Sequence, residues 1–205
     1  ATLALFMAAA LALNLTPGPD MLYVTARSVS DGRRAGIVAA FGIGAGTLVH
    51  ITALALGLAA LLAAVPLAYD ALRIAGALYL MVIGVQLLWR PRGASAAAAL
   101  PPASLATVFA QAVLTNVLNP KVALFFLAFL PQFVDPAAGP AVAQVVVLGL
   151  LFDLQGTVVN VAVALLASGT TRRLRANARA VSLLRRLTGA IFVALGARLA
   201  VAANR

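Results

Sequence analysis

The sequence of 205 residues contains no cysteine and no glutamate, and only one lysine and one histidine. Without cysteine, thiol catalysis, disulfide carriers and thiolate metal sites are excluded. The motifs of intramembrane proteases are absent as well, because the chain has no His-Glu-x-x-His, Gly-x-Ser-Gly or Gly-x-Gly-Asp segment. Charged residues make up only 10% of the chain, against about one quarter in soluble domains.

Hydrophobic residues dominate instead, at 63% of the chain with a mean hydropathy of +1.05. A spanning helix needs about 20 apolar residues, and this chain has room for six or seven of them. We therefore predict an all-α membrane protein with six transmembrane helices and no soluble domain. The charge-poor stretches that predict these spans lie at about 2–26, 36–62, 70–89, 105–133, 141–167 and 187–203.

The net charge of +10 is concentrated in alternate loops. Arg27 to Arg34 holds three arginines, Arg90 to Arg92 two, and Arg172 to Arg186 six. The positive-inside rule places these loops in the cytoplasm and both termini outside. The charge is therefore interpreted as a topology signal and not as nucleic-acid binding. The spacing of apolar residues in 172–186 also allows an interfacial helix on the lipid bilayer.

The two halves of the chain resemble each other. Three matches occur in order: Gly46–His50 with Gly156–Asn160, Arg73–Leu80 with Arg186–Val193, and Asn14 and Pro17 with Asn116 and Pro120. We predict one transmembrane domain over 1–205, with repeat one at about 1–92, a linker at about 93–103 and repeat two at about 104–205. Because each repeat has three spans, the second is inverted relative to the first. Inverted repeats with interrupted helices are a transporter architecture.

Prolines interrupt helices 1 and 4 at Thr16-Pro17-Gly18-Pro19-Asp20 and at Asn119-Pro120-Lys121. Proline donates no backbone hydrogen bond, so the carbonyls of Leu13, Leu15 and Asn116 lose their helical donors. Freed groups inside a membrane need partners. Either polar side chains or water stabilise a kink, or the carbonyls hold a cation while the amides that begin the next half-helix face an anion.

Three ionisable residues fall within spans, Asp20, Lys121 and Asp153. Each costs about 2.5–3.5 kcal/mol at a helix centre, so we expect them to face inward and to have partners. Asp20 is either a helix cap or a ligand, and Asp20 with Lys121 is either a salt bridge or part of a binding site. His50 and Asn160 occupy matching repeat positions and either bind substrate or bond a carbonyl across the bundle.

Several segments resemble the LysE/RhtB family of amino-acid exporters over nearly the whole chain. They are Asn14–Asp20, Gly42–His50, Gly76–Leu80 and, most specifically, Asn119–Phe133. The resemblance implies an inner-membrane exporter of amino acids or related metabolites that is driven by the proton gradient. It also implies a homodimer, no enzymatic activity and no cofactor. A divalent-metal exporter of related architecture is the alternative.

We predict a central site between spans 1, 2, 4 and 5. The substrate carboxylate is expected at Lys121 and the amides after Gly18, and its ammonium at Asp20 or Asp153 and the carbonyls of Leu13 and Leu15. Asp153 or Asp20 is the candidate to carry the proton. The candidate substrate-binding residues are Asn14, Thr16, Pro17, Gly18, Pro19, Asp20, His50, Asn116, Asn119, Pro120, Lys121, Asp153 and Asn160.

Overall fold

The computed structural model describes residues 2–64 and 101–168, together with eight isolated helical positions. These positions are Leu78, Met81, Val82, Val85, Arg186, Ala190, Val193 and Ala197. Most of the predicted spans at 70–89 and 187–203 therefore lies outside the described residues. So do the linker up to residue 100 and the arginine-rich segment up to residue 185. In the described ranges every regular element is a helix.

The first half of the chain forms three helices, α1 (Thr2–Leu15), α2 (Pro19–Ser30) and α3 (Gly32–Ala64). Between α1 and α2 the chain is non-helical from residue 16 to 18. Pro19 begins α2, a position where proline is tolerated because the first amides of a helix have no helical acceptor. Between α2 and α3 the chain turns at Gly32, whose φ of 86° favours glycine.

The second half begins with α4 (Leu105–Val117), whose first turn is capped by the side chain of Ser104. After a break, α5 (Pro120–Leu124) leads into a π-helical turn over Phe125–Phe129 and 3-10 turns at Leu130–Phe133 and Pro136–Ala138. A long helix, α6 (Ala141–Ser168), completes the described part. The axes of Leu105–Val117 and Pro120–Phe133 differ by 45° across the break.

Two of the described helices are long and apolar enough to cross a membrane, over Arg33–Gly57 and Ala141–Ala167. The bent pair of Leu105–Val117 with Pro120–Phe133 passes the same test when counted as one span. Leu3–Leu15 is apolar but shorter. The prediction of an all-helical protein with apolar helices that fit a membrane is therefore confirmed for the described residues.

Helix α3 lies at the centre and packs mainly against α6 and α4. Small residues allow the close approach to α4. A Cβ atom added to Gly42 would lie 2.6 Å from the Cβ of Ala112 and 2.7 Å from the carbonyl oxygen of Phe109. Any larger residue at position 42 would therefore separate the two helices.

Two apolar clusters pack at different levels of the bundle. The first contains aromatic side chains from α1, the π-helical turn and α6: Phe6, Phe125, Phe126, Phe129 and Phe152. The second lies among α2, α3, α4 and α6 and includes Val24, Ala40, Val108, Ala112 and Ala164. Along α3 and α6 the polar residues discussed below fall between these clusters, at the level of the two helix breaks.

Candidate functional site

A small polar cavity lies between the two apolar clusters. Six predicted site residues line it: Asn14, Asp20, Asn116, Lys121, Asp153 and Asn160. About 20 Å³ of it is open to the centres of water molecules, and one water needs about 10–15 Å³. The cavity therefore has room for one or two waters, which is less than an amino acid needs.

Lys121 connects the two helix breaks. Its Nζ donates to the carbonyl oxygens of Leu13 at 3.1 Å and Thr16 at 3.0 Å, at the end of α1. Gly18 makes room for it, because a Cβ there would lie 3.1 Å from Nζ. Sequence reasoning placed a substrate ammonium at the Leu13 carbonyl. In the structure the Lys121 ammonium bonds to this carbonyl instead. An ammonium has three N–H donors, which leaves one beyond these two bonds.

Asp20 is held by Asn116, which precedes the second helix break. Its Oδ2 accepts a hydrogen bond from Asn116 Nδ2 at 2.9 Å, and its Oδ1 is buried with no partner among the described residues. Gly18 is the N-cap of α2 and makes no side-chain cap bond. In the described part of the chain Asp20 forms no ion pair with Lys121, whereas Arg27 and Asp31 do form one. The two opposite charges thus line one cavity without contacting each other.

His50 bonds to the Asn116 carbonyl, which loses its helical donor at Pro120 and also accepts from the Asn119 amide at 2.9 Å. Its Nε2 lies 3.1 Å from the carbonyl oxygen of Asn116, and its ring stacks on Phe126 with centroids 5.8 Å apart. Of the two interpretations that the sequence left open, this contact matches the bond to a carbonyl across the bundle.

Asp153 has a different environment from Asp20. The hydroxyl of Thr157, one helical turn later, lies near its carboxylate, since both side chains approach Gly44 of α3. Helix α3 passes close by at Gly44, where a Cβ would lie 3.2 Å from Asp153 Oδ1. No basic side chain pairs with Asp153 within the described ranges. Its carboxylate therefore lines the cavity without a charged partner among the described residues.

Two contacts of matching residues relate the halves of the chain. Asn116 packs on α3 so closely that a Cβ at Gly46 would lie 2.7 Å from the Asn116 Cβ. Asn14 packs on α6 in the same way, with its Oδ1 3.0 Å from a Cβ placed on Gly156. These are the asparagines before the two breaks and the glycines of the two matching blocks.

The other predicted site residues lie around the cavity without lining it. They are Thr16, Pro17, Gly18, Pro19, His50, Asn119 and Pro120. The Thr16 hydroxyl bonds to the Ala12 carbonyl at 2.7 Å. Asn119 caps α5 by accepting from the Lys121 amide at 3.0 Å. These two side chains therefore stabilise the break ends.

Sequence reasoning missed several cavity residues. They are Ile43, Thr47, Val122, Phe152, Gly156 and Thr157, while Met21, whose amide is one of those after Gly18, also lines the cavity. The internal repeat could have indicated two of these cavity residues, because Thr47 and Thr157 occupy equivalent positions in the two matching blocks. The apolar members had no signal, since aliphatic residues occur throughout such a chain.

A second polar cluster joins α2 to the start of α4. Arg27, counted above only as a topology signal, is 3% exposed. Its guanidinium donates to Asp31 Oδ2 at 2.8 Å, to the Pro101 carbonyl at 2.9 Å and to Gln111 Oε1 at 2.7 Å. Tyr23 donates to the same Gln111 oxygen at 3.0 Å. Arg27 thus links the two halves of the chain on the side that the arginine-rich loops predict to be cytoplasmic.

Comparisons with known proteins agree with the membrane architecture. The LysE type translocator family matches residues 11–203. The leucine efflux protein of Enterobacter sp. (strain 638) is 29% identical over 199 residues, covering 95% of this chain and 93% of the relative. The homoserine/homoserine lactone efflux protein of Salmonella typhimurium (strain LT2) is 31% identical over 191 residues, covering 93% and 91%.

An uncharacterized membrane protein of Pseudomonas aeruginosa is 36% identical over 197 residues, covering 92% of this chain and 89% of the relative. No solved structure matches the chain. The family match spans most of the sequence, and the identity to two of these relatives exceeds 30% with nearly full coverage. The chain therefore belongs to the LysE type translocator family.

Proposed function

We propose that this protein exports amino acids or closely related metabolites across the cytoplasmic membrane in exchange for protons. One observation carries the proposal. A buried cavity at the two helix breaks is lined by Asp20 and by Lys121, which do not pair with each other. An amino acid carries one charge of each sign, so it complements both residues at once. The names of the two efflux relatives agree with such a substrate.

The substrate carboxylate is placed against Lys121 and the first amides of α2. Lys121 keeps one N–H beyond its bonds to Leu13 and Thr16. The amides of Asp20 and Met21 belong to the first turn of α2, where unsatisfied donors and the helix dipole favour an anion. Met21 lines the cavity.

The ammonium is placed against the carboxylates, at Asp20 or Asp153. The carbonyls of Leu13 and Leu15 were the further partners that the sequence offered. Since Lys121 holds Leu13, the carboxylates are the better acceptors. Asn14 and Asn160 line the same cavity and have groups that can bond either end of an amino acid.

Asp153 is the preferred proton carrier. Its carboxylate lies near the Thr157 hydroxyl of its own helix, whereas Asp20 is fixed by Asn116 from the other half of the chain. When substrate leaves, a proton on Asp153 lowers the charge left in the cavity. This arrangement couples outward movement of substrate to inward movement of protons.

For the whole chain we propose a single domain of six spans in two inverted repeats, acting as a homodimer. The paired contacts of Asn116 with Gly46 and of Asn14 with Gly156 support the inverted repeats. The divalent-metal alternative gains no support. In the described part of the chain no three His, Cys, Asp or Glu side chains come together.

The proposal is tested with purified protein in liposomes loaded with labelled leucine or homoserine. We expect export that a pH gradient drives, and exchange of labelled for unlabelled substrate without a gradient. Liposomes loaded with Zn²⁺ or Mn²⁺ serve as the contrast and are expected to retain the metal. Metal release without amino-acid transport would contradict the proposal.

The orientation predicts which surface positions are accessible. The chain lacks cysteine, so single cysteines at Asp135 and Ala176 report one position each. In intact cells a membrane-impermeant maleimide is expected to label Asp135→Cys, and to label Ala176→Cys only after permeabilisation. A cysteine placed after Arg205 is expected to react from outside. Labelling of Asp135→Cys only after permeabilisation would contradict both the orientation and the inverted repeats.

A further inference from the structure

Asn116 has an unusually complete set of contacts for a polar residue in a membrane protein. It is 1% exposed. Its Nδ2 donates to Asp20 Oδ2 at 2.9 Å, and its Oδ1 lies 3.4 Å from the Thr47 hydroxyl. Its backbone carbonyl accepts from His50, and its Cβ packs on Gly46. The orientation of its side-chain amide is therefore set from two sides.

The consequence appears in the two oxygens of Asp20. Oδ2 is taken by Asn116, and Oδ1 is buried without a partner in the described residues. A buried charged acceptor without a partner is costly, so Oδ1 is a place where a ligand gains free energy. The anchored oxygen also stops the carboxylate from rotating toward another partner.

Lys121 is that other partner. Asp20 and Lys121 line the same cavity, yet they form no ion pair in the described structure. Both are held by other groups, Asp20 by Asn116 and Lys121 by the carbonyls at the end of α1. If either anchor were lost, the two opposite charges would attract each other directly, which buried charges do strongly.

We infer that Asn116 is a positioning residue, which holds Asp20 away from Lys121 and presents Asp20 Oδ1 to the ammonium group of the substrate. This inference rests on the proposed function and deepens it. It assigns the ammonium to Asp20, where sequence reasoning left Asp20 and Asp153 open. Asn116 itself acts through Asp20, and Thr47 acts on the orientation of the Asn116 amide.

The inference predicts a specific loss in Asn116→Ala. Without its anchor Asp20 turns toward Lys121, and its Oδ1 no longer faces the ammonium group of the substrate. We expect the KM for leucine or homoserine exchange in liposomes to rise at least about 10-fold, because a hydrogen bond to a charged group contributes about 1.5–3 kcal/mol. The maximal rate is expected to change by less than about 3-fold, since Asn116 acts through Asp20 and not on the substrate itself.

A ligand without an ammonium group separates positioning from general damage. 4-Methylpentanoate has the carbon skeleton and carboxylate of leucine but no amino group. The preference of the protein for leucine over 4-methylpentanoate, measured by competition, is expected to fall at least about 10-fold in Asn116→Ala. Thr47→Val, which removes only the hydroxyl beside the amide, is expected to lower it in the same direction by about 2- to 5-fold.

Thr115→Ala is the matched control. Thr115 is the neighbour of Asn116 on α4, and its hydroxyl bonds to the Gln111 carbonyl of the same helix. We expect its KM and preference to equal those of the unaltered protein. If Asn116→Ala and Thr47→Val keep the full preference for leucine, or weaken both ligands equally, the inference is wrong. If the unaltered protein exchanges neither leucine nor homoserine, the proposed function itself fails.

Discussion

Lys121→Ala is expected to reduce export in liposomes to the level of protein-free liposomes. The substitution removes the positive charge of the cavity and the ammonium that bonds to the carbonyls of Leu13 and Thr16. The hydrogen bond that Lys121 donates to the substrate carboxylate is expected to contribute about 1.5–3 kcal/mol, which corresponds to at least about 10-fold in binding. Export is measured as pH-driven loss of labelled leucine or homoserine.

The amount of protein in the membrane and its elution from a size-exclusion column serve as the folding controls. The double variant Lys121→Ala with Asp20→Asn tests whether Lys121 only neutralises Asp20. Since no ion pair joins the two in the described structure, the double variant is expected to stay inactive. Recovery of transport in the double variant would show that the salt-bridge interpretation was correct.

Asp153→Asn is expected to separate exchange from proton coupling. An amide has nearly the shape of a carboxyl group but does not titrate. The variant is therefore expected to bind substrate but not to carry a proton at position 153. Exchange of labelled for unlabelled substrate is expected to stay within about 3-fold of the unaltered protein. Accumulation driven by a pH gradient is expected to disappear.

Asp31→Asn is the matched control, because Asp31 pairs with Arg27 outside the cavity. It is expected to retain pH-driven accumulation. Full pH coupling in Asp153→Asn would remove Asp153 from the proton role and leave Asp20 as the remaining candidate. Loss of exchange as well would make Asp153 a substrate ligand or a structural partner, which a binding measurement on the variant distinguishes.

Local sequence favours a helix end beside a proline, because proline acts on its own neighbourhood. Helix α1 ends at Leu15, two residues before Pro17, and α2 begins at Pro19. Helix α4 ends at Val117 and α5 begins at Pro120. The polar composition of the cavity was also predictable in part, since ionisable residues in an apolar chain must face inward.

The partners of these groups could not be predicted, because they depend on distant segments packing together. Lys121 bonds to carbonyls more than 100 residues earlier, and His50 bonds to the carbonyl of Asn116, 66 residues later. The sequence showed that Leu13 and Asn116 lose their helical donors but not which side chains replace them. The burial of Arg27 was missed for the same reason, since its acceptors Gln111 and Pro101 belong to the second half of the chain.

The length of the half-helix after the first break limits how far the site lies from one membrane surface. With 12 residues, α2 extends about 18 Å. This is less than the hydrocarbon layer of about 30 Å, so in the proposed arrangement of spans the first break lies inside that layer. A charge that moves between the site and a membrane surface then crosses part of the membrane potential, which amounts to about 2.3 kcal/mol per 100 mV for the whole layer. Charge movement into or out of the site is accordingly expected to respond to voltage even when the pH is equal on both sides.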